Sequence, residues 1–428
     1  MSYSARTALA TSDDKERLRS EFEMKTAEQV VETLGNMKGA VMKIGQMASY
    51  LDQGLPDNVR EALAQLQTEA PPMAPELATE MVESELGASP DRLFAEWEAH
   101  PIAAASIGQV HRAVTHDGER VAVKVQYPGV DEAIRADLDN NDVLFGMLQF
   151  LFPGLDPGPI VAEMRDRISD ELDYRLEATV QQRFADHYQG HPTITVPSVL
   201  PELSAQRVMT SQLVEGASFS EVRDWSEEER NLAAETLYRY AFGGIYRLHL
   251  FNGDPHPGNY LFQPGGRVAF LDYGLSKEFQ PDEVEVFERI ITLMVLEPDV
   301  REFARYHEQL GILGDADAFD DQAIYDYFSH FYEFVLHDEA MTVTAEYASE
   351  MVRRFFDLTG PHAELMKTAN LTPTFVLLQR INLGLYALFA ELGATANWRR
   401  IAEEIWPFVD GPPSTDMGES IAEWERSR

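Results

Sequence analysis

The chain has 428 residues, 44% of them hydrophobic and 25% charged, enough for two or three domains with a sizeable core. It contains no cysteine, which excludes a disulfide framework and a thiolate metal site. With 35 basic against 72 acidic residues the net charge is −37, which argues against binding nucleic acid or docking electrostatically on anionic lipid.

The opening residues, MSYSARTALATSDDKERL, have no apolar core of signal-peptide length. No window approaches the roughly 18 uncharged apolar residues of a membrane span. A cytoplasmic location is therefore expected, with peripheral contact at a membrane left open. Lysine is scarce: only Lys15, Lys25, Lys38, Lys43, Lys124, Lys277 and Lys367 occur, and the other basic residues are arginine. A lysine kept inside a motif of such a chain suggests a site where arginine's planar fork does not replace a compact ammonium. Lys43 and Lys124 are two such positions.

Apolar residues at helical spacing predict helices over residues 26 to 70, with Lys43-Ile44-Gly45-Gln46 inside the first. A short helix is expected from Pro75 to Leu86, ending at Gly87, and another is expected to start at Ser89-Pro90. Next comes PIAAASIGQVHRA (101–113), a turn at His116-Asp117-Gly118, and VAVKVQ (121–126). This reads as a β-hairpin whose second strand carries Lys124. Aligned with a kinase glycine-rich loop, Gly108 takes the third glycine and Val110 the following valine. Ala103 and Ala105 then fall on the first two glycines, so the loop must close over phosphates differently.

Residues 129 to 188 read as helical, broken between Pro153 and Pro159. Within them, helical spacing puts Glu171 with Tyr174, or Asp173 with Glu177, on one face. Arg207 to Gly216 reads as a strand leaving through a glycine, so that the backbone of Gln212 and Val214 could face an adenine. Ser226 caps a helix to about Leu250. Several helices are expected from Asp282 to about Pro407, followed by a polar, frayed tail from Gly411.

The chemistry concentrates in HLFNGDPHPGNYLFQPGGRVAFLDYGLSK (249–277). Asp254 and Asn259 lie on a loop fixed by its glycines and prolines, and Asp272 leaves the end of a short strand. D-x4-N followed thirteen residues on by Asp-aromatic-Gly is the layout of a phosphoryl-transfer centre. Asn259 and Asp272 are hard oxygen ligands suited to Mg²⁺, and Asp254 suits a general base or an orienting group. Taken singly, each could be a turn residue bonding local backbone; the three together at this spacing point to chemistry.

With these residues assembled, the chain resembles the UbiB (AarF-like) family of atypical kinases from about Glu28 to beyond Lys277. KIGQ, the alanine-rich PIAAASIGQVHRA, VAVKVQYPGV, ELDYRLEA, GDPHPGN and LDYG carry the resemblance. It implies a bilobal protein-kinase-like α+β fold: a helical extension over 1–95, a small β-rich lobe over 96–215 with a helical insert near 129–165, and a helical lobe over 216–410. It implies that Ala103, Ala104, Ala105, Ser106, Gly108 and Val110 cover the nucleotide, that Lys124 pairs with Glu177 and the phosphates, and that Asn259 and Asp272 hold metal. It also implies that Lys43 and Gln46 enter the site and meet Glu171 and Asp173. The cofactors implied are ATP or ADP with Mg²⁺, and the activity is nucleotide hydrolysis or transfer to a small or lipid-related molecule, in support of isoprenoid-quinone, notably ubiquinone, biosynthesis. Two other readings remain at this point. One is a phosphotransferase of the aminoglycoside or choline kinase type, which KIGQ and the alanine loop argue against. The other is a nucleotide-dependent scaffold with little turnover.

Overall fold

The computed structural model describes residues 73–105, 107–132, 170–252, 255–356, 360–370 and 373–428. Lys43, Gln46, Ser106 and Asp254, and the helices expected over 26 to 70, lie outside the described residues.

Pro75 at the first helical position and Gly87 at the end delimit helix α1 (Pro75–Leu86). Gly87 takes φ 77° and donates its N–H to Glu83 O, as a left-handed C-terminal cap does. Ser89-Pro90 starts only a single helical turn, Pro90–Leu93. The strands that follow are β1 (Glu96–Trp97), β2 (Ala103–Ala105), β3 (Gly108–Val114) and β4 (Arg120–Gln126). A later strand, β6 (Val208–Gln212), completes an antiparallel sheet of order β1-β3-β4-β6, with β2 on the free part of β3. The period of two in β4 decides its faces: Val121, Val123 and Val125 are buried against Met81, Val82 and Phe94. Lys124 is thereby sent to the opposite face, toward the second lobe.

Helix α2 (Tyr174–His187) packs near β6 and carries Glu177 in its first turn. The expected continuous helix through 171–178 is not found. Asp173 stops it, accepting a bond from Arg175 N as the N-cap, so Glu171 sits on a preceding turn. Asp173 and Glu177 therefore do not share a helix face.

In the second lobe, Ser226 accepts a bond from Glu229 N and starts α3 (Glu227–Gly243), which continues through a π-helical turn to Leu248. Strand β7 (Leu250–Asn252) pairs with β10 (Ser276–Glu278). Between them in sequence, β8 (Tyr260–Gln263) and β9 (Arg267–Phe270) form a ribbon joined on its far side by β5 (Ile194–Thr195). Helices α4 (Pro281–Ile291), α5 (Val300–Gln309), α6 (Asp321–Ser329), α7 (Ala345–Phe356), α8 (Pro373–Leu392) and α9 (Trp398–Ile405) complete the lobe. Its core is aromatic: Trp398 stacks on Phe389 at 4.6 Å, and Tyr240 on Phe270 at 3.5 Å.

The frayed tail expected from Gly411 is corrected. Thr415 caps a helix, α10 (Asp416–Ser427), that docks on the body of the fold. Met417 is buried, Trp424 Nε1 donates to Gln189 O at 3.0 Å just past the end of α2, and Arg428 bonds the O of His187, the last residue of α2. Glu404 holds the approach by accepting from Ser414 N at 2.6 Å and from Arg239 at 2.5 Å. The polar composition of this stretch suits an amphipathic helix that turns Met417 and Trp424 toward the body of the fold.

Candidate active site

The cleft between the β-sheet and the helical lobe gathers Lys124, Glu177 and Asp272. Lys124 Nζ lies 2.8 and 2.9 Å from the two oxygens of Glu177 and 3.3 Å from Asp272 Oδ2. Lys124 is 9% exposed and Glu177 4%, so water scarcely screens the pair. Burial opposes the lysine's charge, but the carboxylates of Asp272 and Glu177 outweigh it and hold its pKa well above the ordinary value. Burial and the Asp272 charge push the Glu177 carboxyl up, and Lys124 restrains it.

Backbone pairing brings the other groups to the same place. The β8–β9 register sets Tyr260 opposite Phe270, and Leu271 N donates to Asn259 O at 3.0 Å. Asn259 and Asp272 thus emerge together at one end of the ribbon. Asp272 is fixed by Gly274 N on Oδ1 at 3.0 Å and by Asn252 Nδ2 on its carbonyl at 2.5 Å. Tyr273 donates its N–H to Glu177 Oε1 at 3.4 Å and sets its ring 5.2 Å from Phe184, tying this turn to α2. Asp254 is not described, but Asn252 and Pro255 on either side of it are both buried. Pro255 sits over Gly384 of α8: a Cβ built on that glycine would lie 2.4 Å from the proline ring. His249, which leads into this segment, takes φ 52°, a left-handed conformation that costs a residue with a Cβ about 1–2 kcal/mol.

Three expectations need adjustment. Glu171 and Asp173 were expected to act together; only Glu171 comes to the site. A Cβ on Gly274 would be 3.4 Å from both Asp272 Oδ1 and Glu171 Cγ, whereas Asp173 turns to Arg175, at 2.5 and 2.8 Å. Those bonds lower the Asp173 pKa. Second, Ala103–Ala105 form strand β2, in register with Val110, Gln109 and Gly108, so the alanine run is ladder rather than open loop. Third, of the two linker residues expected to face an adenine, Gln212 has its N–H engaged, donating to Ser198 O at 2.9 Å.

Sequence reasoning gave no role to Tyr174. Its ring lies under the Lys124 ammonium, 5.0 Å from Nζ to the ring centroid, in cation–π contact. The signal was present, since Tyr174 is three residues before Glu177 and so on a neighbouring ridge of the same helix.

The residues fit a magnesium nucleotide. One ammonium faces two carboxylates, leaving a local negative charge that a cation would offset, and Asp272 keeps 21% of its side chain exposed. Among the described residues no group of three or more His, Asp or Glu could hold a metal by itself. Mg²⁺ is commonly bound through one or two carboxylates plus substrate phosphates.

A small antiparallel sheet whose lysine pairs with a helix glutamate, over a helical lobe presenting a D-x-G aspartate, defines a protein-kinase-like fold. Its chain belongs to the family of ABC1 atypical kinase-like domains, whose model matches residues 65–307. It is 28% identical to the mitochondrial atypical kinase COQ8 of Saccharomyces cerevisiae over 394 residues, 89% of this chain and 76% of the relative. It is 33% identical to the mitochondrial atypical kinase COQ8B of Rattus norvegicus, over 62% of this chain and 51% of the relative. It is 30% identical to the probable protein kinase UbiB of Marinobacter nauticus, over 63% and 51%. The chain thus spans about half the length of the rat and Marinobacter relatives. Among solved structures, Rv3197 of Mycobacterium tuberculosis, determined as a complex with erythromycin, matches at a TM-score of 0.66 with 31% identity, over 93% of this chain and 100% of that one. Among the described residues no helix is long and apolar enough to cross a membrane.

Proposed function

We infer that the chain binds Mg-ATP or Mg-ADP in this cleft and acts as an atypical kinase or ATPase, passing a phosphoryl group to water or to a small or lipid-related acceptor. The observation that carries the reading is the buried Lys124–Glu177 pair at 2.8 Å with Asp272 3.3 Å away. Bound magnesium nucleotide supplies the transferable phosphoryl group and the divalent charge. Lys124, fixed by Glu177, presents a permanent cation on the phosphate side of the cleft. Asn259 and Asp272 offer hard oxygen ligands from one end of the β8–β9 ribbon. Asp254 accepts or orients the proton leaving the acceptor. Val110 and the alanine hairpin cover the cleft, and Val214 offers linker backbone beside the adenine. The family resemblance would bring Lys43 and Gln46 to Glu171 and Asp173, where a lysine beside a carboxylate is favoured and would help keep large substrates out. A supporting role in isoprenoid-quinone biosynthesis follows the relatives and belongs to this proposal.

Calorimetric titration of Asp272→Asn with Mg-ATP tests the assignment. An amide keeps the shape but not the charge, so metal-dependent binding should be lost with the fold intact. Affinity equal to the parent chain would reject the metal role.

A further inference from the structure

The C-terminal helix α10 meets the end of α2 over two half-buried imidazoles, His187 and His191. The Trp424 ring stands edge-on to His191, with centroids 4.6 Å apart, and to His187 at 6.3 Å. Tyr188 also meets both rings edge-on, at 4.7 and 5.3 Å. His191 Nδ1 accepts the N–H of Thr193 at 3.2 Å and that of Ile194 at 2.9 Å, so the ring is neutral and carries its proton on Nε2. Arg428 and Arg247 act on His187, and Arg239 and Arg247 on His191. The carboxylates of the surrounding elements are committed elsewhere. Glu425 of α10 pairs with Arg247, Glu235 of α3 and Glu404 of α9 pair with Arg239, and Asp186 of α2 accepts from Gln182 at 2.7 Å. The start of α10 is held without the imidazoles, by the Thr415 cap and by buried Met417.

We propose that α10 is an acid-releasable strap on α2, the helix that carries Glu177. Its second half rests on His187 and His191 while they are neutral and lifts when they take up protons, with Thr415 and Met417 as the hinge. A second proton can enter the His191 ring only at Nδ1, where Thr193 and Ile194 already point their N–H groups. A charge on either ring would face arginines rather than a free carboxylate. Burial, and then the arginines, hold His187 down to about 4 and His191 to about 3, against an ordinary 6.5. Because the docked values lie below the ordinary one, docking is complete above about pH 6.5 and weakens as pH falls toward 4. Lifting α10 withdraws Trp424 from Gln189 O and Arg428 from His187 O, so the last turn of α2 loosens with it.

The test is amide hydrogen exchange of the full chain at about pH 7.5 and about pH 5, corrected for the intrinsic pH dependence of exchange. Protection of residues 421–427 and of the last turn of α2 should fall at least about tenfold at the lower pH, while that of α4 changes little. In the double variant His187→Gln, His191→Asn the fall should disappear, since an asparagine oxygen still accepts from Thr193 and Ile194 but takes up no proton. Unchanged protection in the parent chain overturns the proposal, and so does a fall of equal size in the double variant. Loss in α10 without loss in α2 overturns the hold of the strap on α2. If the double variant leaves α10 unprotected at about pH 7.5, NMR titration of the imidazoles in Trp424→Ala decides. Removing the indole should raise both pKa values toward 6.5, and values equal to those of the parent chain overturn the proposal. No nucleotide is needed for either measurement, so the strap and the nucleotide reading fail separately.

Discussion

Lys124 shows how much one buried residue decides here. It is the shared cation of Glu177 and Asp272, and it is held largely out of water in that pair. Replacing it by methionine fills the space but strands Glu177, a carboxylate 4% exposed. Lys124→Met should therefore lose about 3–5 kcal/mol of stability. Adding Glu177→Gln to Lys124→Met should return much of it, and denaturant unfolding of the single and double variants checks both. The pH dependence has a definite sign. The folded pKa of Lys124 lies above its ordinary 10.5, so its stabilisation is complete below that value and disappears only as pH climbs through the raised one. No alkaline loss of stability assignable to Lys124 should appear between about pH 7 and pH 10. Asp173 and Glu171, two residues apart, make the opposite point: a nearby arginine takes one carboxylate while the other reaches the site.

Elements set the position of groups they do not contain. Gly384 in helix α8 lets Pro255 approach the helix closely. A methyl at 384 would sit 2.4 Å from the proline ring, so loop or helix must shift. Gly384→Ala should lower turnover by about 10²-fold through misplacement of the loop while largely sparing nucleotide affinity. Separate measurement of kcat and nucleotide Kd checks this; an equal loss in both would mean that the variant deforms the cleft as a whole. Helix α10 acts in a comparable way at the other end of α2. Trp424 and Arg428 take up the carbonyls of Gln189 and His187, satisfying backbone acceptors that a helix end leaves open. The helix carrying Glu177 is thus held in its first turn by Tyr273 N–H on Glu177, in its last turn by the Tyr273 ring on Phe184, and at its end by the C-terminal helix.

On the scale of the whole molecule, the charge of −37 is the dominant feature. Many individual carboxylates are paired, as in Arg239 with Glu235 and Glu404, but acidic residues outnumber basic ones two to one. The excess repels itself across the compact fold and is screened over a distance of about 10 Å at 0.1 M salt. Raising NaCl from about 0.05 to 0.5 M should therefore raise the unfolding midpoint by several degrees. A midpoint that falls with salt would indicate that the surface ion pairs outweigh the net repulsion.

By itself the sequence determined the local units. Alternation in VAVKVQ established a strand with Lys124 opposite its valines, Pro75 and Gly87 bounded a helix, and the motif set pointed to a kinase-like fold. Each of these depends on residues a few positions apart, where dihedral preference and side-chain period are decisive. Only the tertiary structure decided which of Glu171 and Asp173 faces the cleft, because an ion pair with Arg175 competes for the second. Only it showed Gly108 to be a steric necessity, since Val125 and Tyr174 approach it from elsewhere in the chain. The C-terminal stretch was polar in composition and became a helix because Met417 and Trp424 find the body of the fold to bury against. Such outcomes are set by contacts between distant segments, and no local pattern encodes them.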